Sequence, residues 1–158
     1  MTTTLTAATL TVKITETISL NGAQQGASNT KTFAEINEIS KRIVTITTTE
    51  AEILKFAASI DAGRHIIGDV RYMRFTNLDD TNFITLTFTN EDSDEVAIKL
   101  DAGQSFIWNG DNSGGLVDNF NAVDNDNVAS DTGLADVTSV QADANTASCD
   151  LEMIIASV

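Results

Sequence analysis

Apolar and polar residues alternate with a period of two through much of the first 108 residues, the pattern of β-strands with one buried face. The first long run ends at Asn21-Gly22 and predicts a strand over residues 10–20. Its apolar positions are Leu10, Val12, Ile14, Ile18 and Leu20. Residues 21–32 are rich in Gly, Ala, Ser, Gln and Asn and predict a loop, residues 33–36 predict a short strand or turn, and residues 39–47 resume β character.

The segment Val70–Trp108 contains four short runs rich in Val, Ile, Thr, Phe and Tyr, residue types that suit a pleated, half-buried surface. Three polar connections of turn-forming residues separate them: Asn77–Asn82, Asn90–Asp94 and Asp101–Gly103. Connections this short favour neighbouring antiparallel strands, so we predict a four-stranded meander here.

Residues 48–63 allow two interpretations. Thr49 and Glu52 form a capping box, and the apolar residues that follow fall at helical spacing. The stretch that begins at Ile46 is nevertheless β-prone and the apolar run is short, which favours a strand over residues 52–57.

The composition changes after Trp108. Residues 109–147 are rich in Asp, Asn, Ala, Ser and Gly, with thin apolar patches, and predict either one or two weak strands or a long acidic excursion that orders against a partner. Residues 148–156 predict a closing strand that is buried on one face at its start and on both faces at its end. We therefore predict an all-β fold, an antiparallel β-sandwich or jelly roll of about eight or nine strands with a long polar C-terminal excursion. It forms one domain over residues 10–158, preceded by an extended N-terminal arm over residues 1–9.

Charge and composition narrow the classes of function. The 158-residue chain has a net charge of −14, and residues 109–158 contain nine acidic residues and no basic one. This surface repels nucleic acid and anionic membranes and favours basic or neutral partners. Cys149 is the only cysteine, so no intrachain disulfide forms, and the N-terminus predicts neither a signal peptide nor a membrane helix.

The chain contains few groups typical of catalysis. The only histidine, His65, lies in a predicted loop with no nucleophile specified nearby, and Cys149 lies on the apolar face of the last strand. The usual nucleophile, zinc and phosphate-loop motifs are absent from the sequence. The sequence therefore predicts no enzyme activity, no catalytic residue and no cofactor.

Three acidic stretches resemble calcium loops only in part. Residues 109–114 imitate the first half of an EF-hand loop, but Phe120 occupies the position of the bidentate Glu. Residues 124–127 lack the distal Glu, and Glu91–Glu95 resemble a solvated hairpin tip. We predict no metal site from these stretches.

Several predicted strands have apolar residues on both faces, which a simple sandwich does not require. Either residues 48–63 or the tail cover the second face of the meander, or a second subunit does. Aromatic and Arg residues are typical of protein interfaces, which favours contact with another subunit or a partner. The candidate interface residues are Arg71, Tyr72, Arg74, Phe83, Phe106 and Trp108.

The sequence RYMRFTNLDDTNFITLTF (residues 71–88), followed by EVAIKLDAGQSFI (residues 95–107), resembles small virion structural proteins of tailed phages of marine and freshwater bacteria, cyanophages among them. The likeness also includes Asn21-Gly22 and the strand Lys41–Val44, and it covers roughly residues 10–108.

This resemblance implies a capsid cement or decoration protein that binds the major capsid protein on the outer capsid surface and stabilises the lattice, as a homo-oligomer and typically a homotrimer. Such a protein is made in the cytoplasm of the bacterial host and has no catalytic residues to carry over. A tail or fibre component of the virion and a carbohydrate-binding β-sandwich module that uses exposed Tyr72, Phe106 and Trp108 are the alternatives.

Overall fold

The computed structural model describes residues 4–121 and 134–158, and almost all regular structure in them is β. The strands are β1 (Ala8–Thr15), β2 (Ser19–Leu20), β3 (Ala23–Gln24), β4 (Ser28–Ile36), β5 (Glu38–Ile46), β6 (Ala51–Ala57), β7 (His65–Ile66), β8 (Val70–Asn77), β9 (Ile84–Asn90), β10 (Glu95–Leu100), β11 (Ser105–Asn109), β12 (Val137–Ala144) and β13 (Cys149–Ser157). A single 3₁₀ turn, Ile67–Asp69, precedes β8.

Two antiparallel sheets pack face to face. One has the strand order β10-β9-β12-β6, extended at its edge by the short parallel strand β7, and the other has the order β11-β8-β13-β5. The pairing is nested: β5 pairs with β13, β6 with β12, β8 with β11, and β9 with β10. A long antiparallel ribbon rolled into two sheets produces this order, so the fold is a jelly-roll sandwich. The predicted all-β sandwich is confirmed.

The predicted meander over Val70–Trp108 is wrong. Only β9 and β10 form a hairpin, whereas β8 pairs with β11 and β13, and β9 pairs with β12. The connections before β9 and before β11 cross from one sheet to the other instead of turning back. Four to six extended residues span the roughly 10 Å between packed sheets, so a short connection does not prove adjacency within one sheet.

The core lies between the two sheets and follows the period-two pattern. In β9, Ile84, Leu86 and Phe88 are fully buried, and the threonines between them face away. In β13, alternate residues enter the same core, while Ala156 is buried from the opposite side. The closing strand is thus buried on one face at its start and on both at its end, as the sequence predicts.

The acidic region over residues 109–147 contains a strand at the centre of a sheet. β12 lies between β9 and β6, and Val137 and Val140 are fully buried. The register shift between Val137 and Ser139 in the pairing with β9 places these valines, three residues apart, in one core. Of the two alternatives for this region, the strand is confirmed for residues 137–144.

Residues 51–57 are the strand β6, which confirms the strand interpretation of residues 48–63 over the helix. Asn21 and Gly22 both have positive φ angles, 51° and 79°, and form the tight turn between β2 and β3. The predicted strand over residues 10–20 is divided into β1 and β2. The predicted loop over residues 21–32 is wrong in part, because β3 and the start of β4 lie within it.

The second face of the β11-β8-β13-β5 sheet is covered by β1 and β4. Phe33 and Ile36 of β4 pack on Tyr72 and Ala156, with Leu10 alongside, and the Phe33 and Tyr72 ring centroids lie 6.1 Å apart. Of the two alternatives for the second face, cover by residues 48–63 or the tail is wrong, and the favoured one, contact with another subunit or a partner, stays a prediction for the outer surface that the hairpin base leaves open. β6 instead contributes Leu54 and Phe56 to the core between the sheets.

A β-bulge in β4 makes this cover possible. Phe33 and Ile36 are three residues apart, so strict alternation would place them on opposite faces of the strand. The pairing with β1 shifts register between Phe33 and Ile36, and Glu35 has a φ angle of 61°. The extra residue turns both apolar side chains towards the sheet.

Candidate functional site

Strands β1 and β4 form a hairpin whose outer part extends beyond the sandwich. Pairing of β1 with β4 continues through hydrogen bonds that Glu16 N donates to Ala27 O (2.8 Å) and Gln25 N donates to Ile18 O (2.9 Å), as far as the turn at Asn21. Every residue from Lys13 to Thr32 is exposed. We call residues 13–32 the projecting hairpin and residues 8–12 with 33–36 the hairpin base.

The projecting hairpin has apolar side chains in solvent. Ile14, Ile18 and Leu20 are 46%, 53% and 61% exposed. The rest of its surface is small and polar, and its charged residues are two lysines and one glutamate in a chain whose net charge is −14. It therefore has a slight positive charge on an acidic protein and offers apolar contacts to a partner.

A second exposed apolar area lies on the outer face of the edge strand β5. Ile39 and Ile43 are each 58% exposed, on the face opposite the core residues Val44 and Ile46. Ile39 pairs with Ala156, which the hairpin base covers, so this area adjoins the base.

A carboxylate pairs with two cations on the same outer face. Glu152 accepts a hydrogen bond from Arg74 and forms an ion pair with Lys41 Nζ at 3.1 Å. Hydrogen bonds from Lys41 and Arg74 hold the pKa of Glu152 below its ordinary value. Arg74 also contacts Thr76, so its charge is satisfied within the chain.

The structure brings the candidate interface residues together only in pairs, Tyr72 with Arg74 and Phe106 with Trp108. Tyr72 lies under the hairpin base, and burial raises the pKa of its phenol. Arg74 faces the same side, Arg71 lies in a cavity described below, and Phe83 lies at the β8–β9 connection with the Lys99 ammonium 4.7 Å from its ring centroid. These residues form no continuous exposed patch, and their contact with a partner stays a prediction.

Phe106 and Trp108 belong to an edge-packed aromatic cluster. Both rings contact Phe88, and Trp108 also contacts Phe120 with centroids 5.8 Å apart. The Trp108 indole N–H donates to the Asn119 side chain. Because the rings pack edge to face and are only partly exposed, they form no flat open platform of the kind that stacks on sugars.

Three carboxylates converge at one end of the sandwich. One oxygen or more of each of Glu91, Asp118 and Asp136 lies within 4.8 Å of the others. Asp118 N donates to the Asp136 side chain at 2.8 Å, and Glu91 N donates to Asp136 O at 2.9 Å. The sequence pointed to Glu91 only, because the other two residues are brought to it by the β12 pairing.

The other acidic stretches form local turns. The Asp111 carboxylate accepts hydrogen bonds from Ser113 N (2.6 Å) and Ser113 Oγ (2.9 Å), and these bonds lower its pKa. The stretch over residues 124–127 lies outside the described residues.

His65 and Cys149 both lie in packed surroundings, and the Cys149 thiol lies beside the Asp79 carboxyl. His65 packs 6.5 Å from the Phe56 ring centroid, and its partial burial lowers its pKa, an effect that nearby Glu38 opposes. Cys149 is buried in the core, and burial raises the pKa of its thiol.

No protein-family model matches the chain, and no curated protein is significantly similar to it. Among the described residues, no helix has the length and apolarity to cross a membrane.

Proposed function

We propose that the protein is a non-enzymatic structural component of a bacteriophage virion: a capsid cement or decoration protein, assembled as a homotrimer, that binds the major capsid protein lattice from outside. The proposal rests on the sequence resemblance described above and on one structural observation. That observation is the projecting hairpin, which is anchored by a buried base and presents apolar residues to solvent.

The anchoring explains how such a hairpin stays extended. The base buries Phe33 and Ile36 against Tyr72 and Ala156, so the two strands leave the sandwich in a fixed direction. A two-stranded ribbon without such support is marginally stable in water. A hairpin supported in this way suits a contact with a neighbouring subunit.

The energy available from this contact is appreciable. Burial of a large aliphatic side chain contributes about 1.5–3 kcal/mol, and Ile18 and Leu20 are both more than half exposed. The free backbone of the hairpin edges can add a strand to a neighbouring sheet. The near-neutral charge of the hairpin avoids the repulsion that the acidic sandwich would exert on another acidic surface.

The jelly-roll order agrees with this proposal because viral capsid domains use the same arrangement of strands. The same order also occurs in lectins and cupins, so the fold supports the proposal only by analogy.

The experiment measures binding to capsids prepared without this protein. Capsids are mixed with wild-type protein, with the double variant Ile18→Ser and Leu20→Ser, or with the control Thr17→Ala and Ser19→Ala in the same segment. We expect saturable binding of wild type and control and loss of binding by the apolar double variant. Equal binding of all three proteins would contradict a role for the projecting hairpin.

Microscopy of purified virions tests the location. We expect density for the jelly roll on the capsid exterior around local threefold positions. Density confined to the tail would favour the tail or fibre alternative, and absence of the polypeptide from virions would overturn the proposal. Light scattering tests the trimer separately, and a monomer at micromolar concentration would contradict self-assembly in solution.

A further inference from the structure

A partly open cavity of about 230 Å³ lies between the hairpin base, the start of β8 and the loop that follows β11. The bulged end of β4 forms one wall. The other lining residues come from β8, from the loop after β11 and from the residue that follows β13. The lining residues are Thr32, Phe33, Ala34, Glu35, Arg71, Asn112 and Val158.

Of the described residues that line this cavity, Arg71 is the one that is cationic. The residue is only 8% exposed, and among the described residues no carboxylate lies within ion-pair distance of it, although its charge contributes to the lowered pKa of the more distant Asp111 carboxyl. One guanidinium nitrogen donates to Gly68 O at 2.7 Å. A guanidinium has five N–H donors, so the single bond leaves most of its donor capacity for another group.

Backbone contacts fix the main chain of Arg71 and the loop that closes the cavity. Gly110 N donates to Arg71 O, and Asp111 and Gly115 pair across the loop. A Cβ atom at Gly110 would lie 2.1 Å from Val70 O, and one at Gly115 would lie 2.4 Å from Ile67 O. Only glycine permits this close approach, which brings Asn112 to the cavity.

A buried guanidinium with no carboxylate in direct contact is unfavourable unless an anion completes it, and the acidic groups near Arg71, Glu35 and Asp111, form no ion pair with it. We infer that the cavity is a binding site for a single carboxylate group, which accepts hydrogen bonds from Arg71. Carboxylates match the planar donor fork of arginine. A phosphate dianion has more charge than one guanidinium neutralises, and Glu35 in the wall opposes additional negative charge.

This inference is independent of the capsid proposal. The carboxylate can belong to a free small molecule or to an acidic side chain of a polypeptide, because both present the same planar anion to Arg71. The cavity is also separate from the exposed apolar tip of the projecting hairpin, so the two binding activities can be tested with different variants.

The test uses the Nε–H resonances of the full-length protein in ¹⁵N NMR. The chain contains four arginines, so the Arg71 Nε–H signal can be assigned in the wild-type protein through side-chain connectivities to its backbone amide, and Arg64, ion-paired to Asp61 at the surface, serves as an internal control. Acetate is titrated at constant ionic strength against chloride. We expect a saturable shift of the Arg71 signal and no comparable shift of the Arg64 signal.

Two variants test how Arg71 and Glu35 each affect the affinity for acetate. Arg71→Lys keeps the charge but loses the donor fork, so we expect acetate affinity, followed through backbone amide shifts around Asn112, to fall roughly tenfold or more. Glu35→Gln removes the opposing charge and is expected to strengthen binding several-fold. The wild-type titration decides the question even if Arg71→Lys fails to fold.

The source of the carboxylate is resolved by a second titration with a blocked tripeptide, acetyl-Gly-Glu-Gly-amide. Tighter binding of this peptide than of acetate would assign the site to an acidic polypeptide side chain, and the reverse order would assign it to a small carboxylate. An unresponsive Arg71 signal, as expected if Arg71 pairs with Glu35 in solution, would overturn the inference. Tighter binding of inorganic phosphate than of either carboxylate would overturn it as well.

Discussion

Phe88 and Leu20 are both large apolar side chains on β-strands, but their surroundings are opposite. Phe88 is fully buried and contacts the rings of Phe75, Phe106 and Trp108. Leu20 is 61% exposed near the turn of the projecting hairpin. Large apolar residues on β-strands therefore have two different roles in this protein. Phe88 stabilises the sandwich, whereas Leu20 leaves apolar surface available outside it.

The difference lies in the number of layers over each strand. A sandwich strand is buried because a second sheet lies about 10 Å away. The hairpin base has one sheet beneath it and solvent above it, and the projecting hairpin has solvent on both sides. Substitutions in the sandwich should therefore change stability, and those in the projecting hairpin should change binding only.

The largest effect is expected for Phe88→Ala. Removal of a fully buried ring leaves a cavity between the sheets and should lower the free energy of unfolding by about 3–5 kcal/mol. Urea denaturation followed by tryptophan fluorescence measures this loss, because Trp108 contacts Phe88. A loss below about 1 kcal/mol would mean that the inter-sheet core is loosely packed.

Phe33→Ala tests the boundary between the two regions. Phe33 belongs to the hairpin base, and its ring, 2% exposed, packs on one sheet rather than between two. We therefore expect a smaller loss in the free energy of unfolding, at most about 3 kcal/mol, with local release of the hairpin. Limited trypsin digestion should cleave faster at Lys31, and Thr32→Ala is the matched control. Unchanged cleavage would show that the base does not hold the hairpin.

Glu152→Gln is expected to have a smaller effect that depends on pH. The pKa of Glu152 is lowered in the fold by Lys41 and Arg74, so its stabilising contribution is present above its ordinary value of 4.5 and is lost as the pH falls through the lowered pKa. The drop in melting temperature between about pH 6 and about pH 3 should be smaller in the variant than in wild type. Glu95→Gln on the exposed strand β10 is the control, and equal drops in all three proteins would contradict the expectation.

The smallest effect on stability is expected for the double variant Ile18→Ser and Leu20→Ser. Both side chains are already exposed, so the free energy of unfolding should change by less than about 0.5 kcal/mol. Calorimetry of the purified protein measures this difference. A larger loss would show that the projecting hairpin is part of the cooperative fold, and the proposed separation of binding from stability would fail.

Most strands can be predicted from the sequence because burial of one strand face requires alternating apolar and polar residues. The alternation in β9 and β13, the turn at Asn21-Gly22 and the strand over residues 51–57 are all visible in the residues themselves. β12 was harder to predict because its buried positions include small alanines and its register shifts break the alternation.

The candidate sites depend on long-range pairing and were predicted less well. The sequence indicates Arg71 as an interface residue but not its cavity, which is formed by the β4 bulge and by Asn112, 41 positions further along the chain. The acidic residues Asp118 and Asp136 join Glu91 only because β12 returns beside β9. No local motif contains this information.

The sequence by itself determined that the chain is all-β, where most of its strands lie, that its surface is acidic, and that apolar residues exceed what one simple core requires. The tertiary structure decided which strands become neighbours, that the hairpin base rather than residues 48–63 or the tail covers the outer face, and that Arg71 is enclosed beside a cavity. The physical reason is that alternation specifies which face of a strand is buried, whereas the partner that covers this face is selected by packing of the whole chain.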